Sequence, residues 1–128
     1  MTTSAKEEVD VSLMMEYGFD IKVGELSDFQ AWLSENESKF ADSCPAGVEY
    51  VGTYGVIYSS EKHAGGCRQY FRLASYGAQD AMSAALKENG AFASLLNDMN
   101  RFVDREKGAD FSNGLYRSMT DLGMLSDL

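Results

Sequence analysis

Apolar and polar residues alternate along one early stretch of the chain. Leu13, Met15, Tyr17, Phe19, Ile21 and Val23 share one phase, with Met14, Glu16, Gly18, Asp20 and Lys22 on the other. A period of two turns successive side chains to opposite faces of a strand, so this spacing predicts a strand over 13–23 with one buried face. Gly24 breaks the pattern. Ser27-Asp28-Phe29-Gln30 then reads as a capping box, in which the Ser27 hydroxyl and the Gln30 side chain satisfy the first free N–H groups of a helix. The helix carries Phe29, Trp32, Leu33 and Phe40 on one stripe and ends at Pro45 and Gly47.

A second strand is expected over 48–59, with Val48, Tyr50, Gly52, Tyr54, Val56 and Tyr58 in one phase. The polar, glycine-containing stretch 60–66 reads as a hairpin loop. Cys67, Gln69, Phe71 and Leu73 alternate with Arg68, Tyr70, Arg72, Ala74 and Tyr76 in a third strand. Two helical stripes follow, Ala81, Met82, Ala85 and Leu86, then Phe92, Leu95, Leu96, Met99, Phe102 and Val103. Asn89-Gly90 between them suits a C-cap and predicts a break or kink. A fourth strand is expected over 111–119.

The order β-α-β-β-α-β implies an α+β, ferredoxin-like domain: a four-stranded antiparallel sheet with its helices on one face. The other face is left uncovered. Its positions include tyrosines, arginines and Met14, a surface of the kind that meets a partner, often a second copy of the chain. Residues 11–120 form this domain, with a flexible stretch at 1–10 and a tail at 121–128.

Composition narrows the choice of partners. Of 128 residues, 20 are acidic and 11 basic, for a formal charge of −9. A surface this negative repels phosphate backbones and anionic headgroups, which argues against nucleic acid and membrane surfaces as partners. No window approaches the roughly 20 apolar residues that span a bilayer. Cys44 and Cys67 without a leading apolar segment point to free thiols in a reducing compartment, the cytoplasm.

The strand order, the overall length and the helical segment broken at Asn89-Gly90 before Phe92-x-x-Leu95-Leu96-x-x-Met99 resemble the dimeric α+β barrel superfamily. That group includes NIPSNAP-like proteins and antibiotic-biosynthesis-type monooxygenases. The resemblance implies a homodimer whose two sheets pack across a two-fold axis, with small molecules held between sheet and helices. Some members bind haem. No catalytic signature of those enzymes matches here, so the resemblance assigns no catalytic residue.

One group of charged and aromatic positions could carry chemistry. Glu16 and Asp20 lie on the polar phase of the first strand and Arg68 and Arg72 on one phase of the third, and the topology makes these strands neighbours. Tyr70, Tyr76 and also Tyr50 and Tyr54 would share that face. Such a set could form a cavity with guanidinium donors for an anionic or carbonyl-bearing ligand, aromatic walls and a carboxylate base. Equally, it could be cross-strand ion pairs and tyrosines completing a dimer interface.

His63, the sole histidine, is a candidate base or haem ligand, or else a solvated loop residue. No cofactor is expected, and no metal site, since His63 and Cys67 alone are too few ligands. Cys67 next to Arg68 could have a lowered thiol pKa, or pack as a small buried side chain. Three readings follow: a homodimeric barrel binding a small organic molecule in a Tyr/Arg-lined cavity, a cofactor-free or haem-linked monooxygenase, or a non-enzymatic structural or regulatory dimer.

Overall fold

The computed structural model describes residues 13–60, 65–105 and 112–119. The expectations placed on the two ends of the chain and on His63 lie outside the described residues. In chain order the elements are β1 (Leu13–Phe19), α1 (Leu26–Ser43), β2 (Val48–Gly55), β3 (Cys67–Leu73), α2 (Ala78–Lys87), α3 (Ala91–Asn100) and β4 (Ser112–Arg117). The four strands form one sheet in the order β2-β3-β1-β4, every neighbouring pair antiparallel. β1 and β3 are therefore adjacent, as the expected topology requires.

Aromatic packing ties the helix layer to the sheet. Phe19, Phe40, Phe71, Leu73 and Met99 are fully buried. Phe71 on β3 meets Phe92 of α3 edge to face, and Phe19 of β1 meets Phe29 of α1 in the same way. Burying side chains of this size contributes roughly 1.5–3 kcal/mol each. The Trp32 stripe predicted for α1 is core, and so is the stripe from Phe92 to Met99.

Four local expectations are corrected. β1 stops at Phe19. Ile21 keeps only an isolated bridge to Val103, and Val23 is 84% exposed because no partner strand continues beside it. The capping box does not form. A turn from Lys22 to Glu25 starts α1 at Leu26, so Ser27 already lies in the first turn and no side chain caps the helix.

In β2 the pairing with β3 slips between Tyr50 and Gly52, a bulge that flips the strand's phase. Val48 and Tyr50 consequently face the helices, and Gly52 and Tyr54 the open side. Beyond Gly55 the chain leaves the sheet, so Ile57 and Tyr58 are exposed instead of continuing the strand to Ser59.

The break at Asn89-Gly90 is complete. α2 ends at Lys87, the Glu88 N–H bonding back to the Ala85 carbonyl, and α3 starts afresh from an extended Gly90. Among the described residues no helix is long and apolar enough to cross a membrane.

Candidate functional site

The register brings one polar cluster to the centre of the open sheet face. Tyr70 and Gly114 both lie directly opposite Glu16, and Gly52 lies opposite Tyr70. The next row holds Tyr54, Arg68 and Gly18. At the centre, Glu16 is held from three sides. Arg68 Nη1 donates to Oε2 at 3.1 Å, the Tyr70 hydroxyl to Oε2 at 2.8 Å, and the Tyr116 hydroxyl to Oε1 at 2.7 Å. Although none of the described elements forms a layer over this face, Glu16 is only 9% exposed and Arg68 8%.

Two copies of one local pattern contribute to this burial. Gly52-Thr53-Tyr54 on β2 and Gly114-Leu115-Tyr116 on β4 each place a tyrosine two residues after a glycine, on the same face. Each ring lies back over its glycine. A Cβ on Gly52 would meet the Tyr54 hydroxyl at 2.9 Å, and one on Gly114 would meet Tyr116 Cζ at 2.7 Å. The absent side chain is what lets each ring lie flat along the sheet. Tyr116 thus reaches Glu16, and Tyr54 packs against Tyr70 with ring centroids 5.7 Å apart.

Burial pushes the Glu16 carboxyl upward. The hydrogen bonds from Tyr116, Tyr70 and Arg68, together with the Arg68 charge, outweigh it and hold the group below its ordinary value. Tyr70 moves the other way: burial first, then its bond to the Glu16 carboxylate, keep the phenol protonated above its usual range. At neutral pH the cluster is a carboxylate neutralised by a guanidinium and covered by phenols. Both Glu16 oxygens already accept hydrogen bonds, three in all, which suits a structural hub better than a free base.

The remaining sequence candidates are dispersed. Arg72 lies on the same face but toward its edge, its Nε 3.5 Å from Glu49 Oε1 with both side chains largely exposed. Asp20 sits past the end of β1, where its carboxylate accepts the Gly66 N–H at 2.9 Å. Tyr76 follows β3 and contacts Arg117. Tyr50, expected on the open face, is on the helix side because of the bulge, stacked on Phe40 at 5.1 Å. Cys67 is buried, and burial plus the nearby Asp20 charge push its thiol up, opposite to the activation Arg68 could have given. Among the described residues no three His, Cys, Asp or Glu side chains are placed to hold a metal ion.

On the helix side one row of the sheet runs Thr53, Gln69, Tyr17, Asn113. Its β2 end is a chain of hydrogen bonds. Gln69 Nε2 donates to Thr53 Oγ1 at 3.0 Å, Thr53 and the Tyr50 hydroxyl are 2.7 Å apart, and Tyr50 donates to Glu37 Oε2 at 2.8 Å. With the Tyr50 proton committed to Glu37, the Thr53 hydroxyl must donate to Tyr50.

The β4 end of that row is different. There α2 and α3 stand off from the sheet and leave a cavity of about 300 Å³, lined by Tyr17, Leu86, Leu96, Asn100 and Asn113. Among the described residues none of its lining is charged, and none was among the sequence candidates. Tyr17 was assigned to the core by its phase, and the gap depends on how far the helices reach toward β4, which periodicity does not encode.

No protein-family model matches the chain, and no curated protein is significantly similar to it. Solved structures are similar in fold. A NIPSNAP-family protein of unknown function from Agrobacterium tumefaciens superposes with a TM-score of 0.62 at 11% identity, over 85% of this chain and 89% of that one. An uncharacterized NIPSNAP-like domain protein from Burkholderia xenovorans gives 0.61 at 9% identity, over 87% and 88%. A conserved protein from Methanosarcina mazei gives 0.56 at 10%, over 88% and 97%. At these identities the likeness is one of fold. The chain has the ferredoxin-like α+β fold, and its structural neighbours include NIPSNAP-family proteins.

Proposed function

We propose that the protein is a homodimer that binds a small organic molecule, with the two faces of its sheet doing different work. The open face meets a second copy, and the ligand enters the cavity between the sheet and the helices. The Glu16 cluster is then the centre of the interface instead of the wall of a Tyr/Arg-lined cavity.

One observation carries the ligand reading: the cavity beside Tyr17 combines an apolar lining from Leu86 and Leu96 with converging polar groups from Tyr17, Asn100 and Asn113. A largely apolar concavity of this size with a few placed polar groups is the usual form of a small-molecule site. Binding is favoured over proton abstraction because burial holds the Tyr17 phenol protonated above its ordinary range. For the interface, support comes from Tyr54 and Tyr116, each about half exposed over a neutralised centre.

A thermal-shift screen against small neutral aromatics tests the cavity. Leu86 stands at its rim, 40% exposed, so Leu86→Trp fills the space without disturbing the core. Compounds that stabilise the wild type should lose most of their effect in this variant. Hits that stabilise both proteins equally would remove the cavity as the site.

A further inference from the structure

We infer that this cavity selects an uncharged ligand with a hydroxyl or carbonyl edge, and that Asn100 and Asn113 set the preference. The inference rests on the small-molecule reading above and adds the chemical class of the ligand.

Among the described residues the lining contains two carboxamides and one phenol, and no ammonium, guanidinium or carboxylate. An ionised ligand set against these residues would leave water without gaining a counter-charge from them, a transfer that costs more than neutral hydrogen bonds return. Anions are disfavoured further by the −9 charge of the chain. The three polar groups are also spaced around the opening by different elements: Tyr17 on β1, Asn113 on β4, Asn100 at the end of α3.

Each carboxamide offers both donor and acceptor, so the pair reads a hydroxyl and a carbonyl equally well. Leu96 and Leu86 supply apolar contact for the rest of the molecule. Tyr17 lies directly opposite Asn113 in the β1–β4 register, which fixes phenol and amide next to each other. The match is to a neutral, flat, mostly apolar compound with a polar edge, such as a phenol or an aromatic ketone.

Three probes of similar size separate these claims: 2-naphthol, 2-methoxynaphthalene and 2-naphthoic acid, titrated at neutral pH by calorimetry. The wild type should bind 2-naphthol about fivefold to tenfold more tightly than the methyl ether, as one neutral donor bond allows. The naphthoate anion should bind at least about thirtyfold more weakly than the naphthol. In Asn100→Leu and Asn113→Leu the preference of naphthol over its ether should shrink toward unity while the ether keeps its affinity.

Asn113 is exposed, so its variant should fold even where Asn100→Leu does not. Equal binding of naphthol and naphthoate, or a naphthol preference that survives both substitutions, overturns this inference and leaves the cavity standing. If neither neutral probe binds the wild type, the cavity reading falls and takes the inference with it.

Discussion

Glu16→Gln removes a charge while keeping nearly the same shape, and its cost follows from what stays behind. The Arg68 and Glu16 side chains are 10% and 12% exposed, so the substitution takes the Glu16 charge away from a guanidinium that stays under the tyrosines. Breaking one side of a buried pair costs about 3–5 kcal/mol. Each side chain keeps about a tenth of its surface in water, which places the expected loss at the lower end, about 3 kcal/mol, or a fall in Tm of about 10 °C for a domain of this size.

Urea and thermal denaturation at one fixed protein concentration measure it, since any dimerisation makes both depend on concentration. Glu16→Met combined with Arg68→Met should recover most of the loss, because apolar side chains of similar volume replace the pair without leaving a buried charge. A loss below about 1 kcal/mol for Glu16→Gln would mean the cluster behaves as an ordinary surface ion pair and not as a buried one. The pH dependence must agree. The folded Glu16 carboxyl lies below its ordinary value of 4.5, so its stabilisation is present in full above that value and is lost as pH falls below it toward the lowered native one. Glu16→Gln should flatten this acid limb.

Other outcomes are expected. Gly114→Ala should displace Tyr116 from Glu16 and cost about 1–2 kcal/mol in the same denaturation assay; a wild-type value would mean that the ring does not need the bare glycine. Thr53→Val should cost about 1–2 kcal/mol by leaving the Gln69 amide and the Tyr50 hydroxyl without their shared partner. Cys67 should resist a thiol reagent at neutral pH until urea unfolds the chain; rapid native labelling would contradict its burial and raised pKa.

Periodicity revealed most of the architecture because the sheet has one buried and one open face, and it failed where a backbone irregularity intervened. β1 was legible from Leu13 to Phe19, since its helix-side residues face the core in strict alternation. Extension to Val23 failed because a strand needs a neighbour, and β3 begins at Cys67, opposite Phe19. The bulge after Tyr50 reversed the faces of Tyr50 and Tyr54, and no count of alternating residues contains it. Gly52 was its only trace in the sequence.

Glu16, Arg68 and Tyr70 could be brought together from topology alone, because β1–β3 adjacency and a shared phase suffice. Tyr116 could not, without a register for β4. The repeated Gly-x-Tyr at 52–54 and 114–116 was the available signal, since a bare glycine on a sheet face invites a neighbouring ring to cover it. Asn100 and Asn113 carried no signal, as their role depends on the space between helix and sheet.

The proposed division of labour between the two sheet faces requires the open face to meet a second copy of the chain. Sedimentation equilibrium of the wild type beside Tyr54→Asp, which sets a carboxylate on that face at a half-exposed position, tests this directly. The wild type should sediment at twice the 14.1 kDa chain mass at micromolar concentration, and the variant should move toward a single chain. A wild type that stays at one chain mass throughout, or a dimer indifferent to Tyr54→Asp, would contradict it.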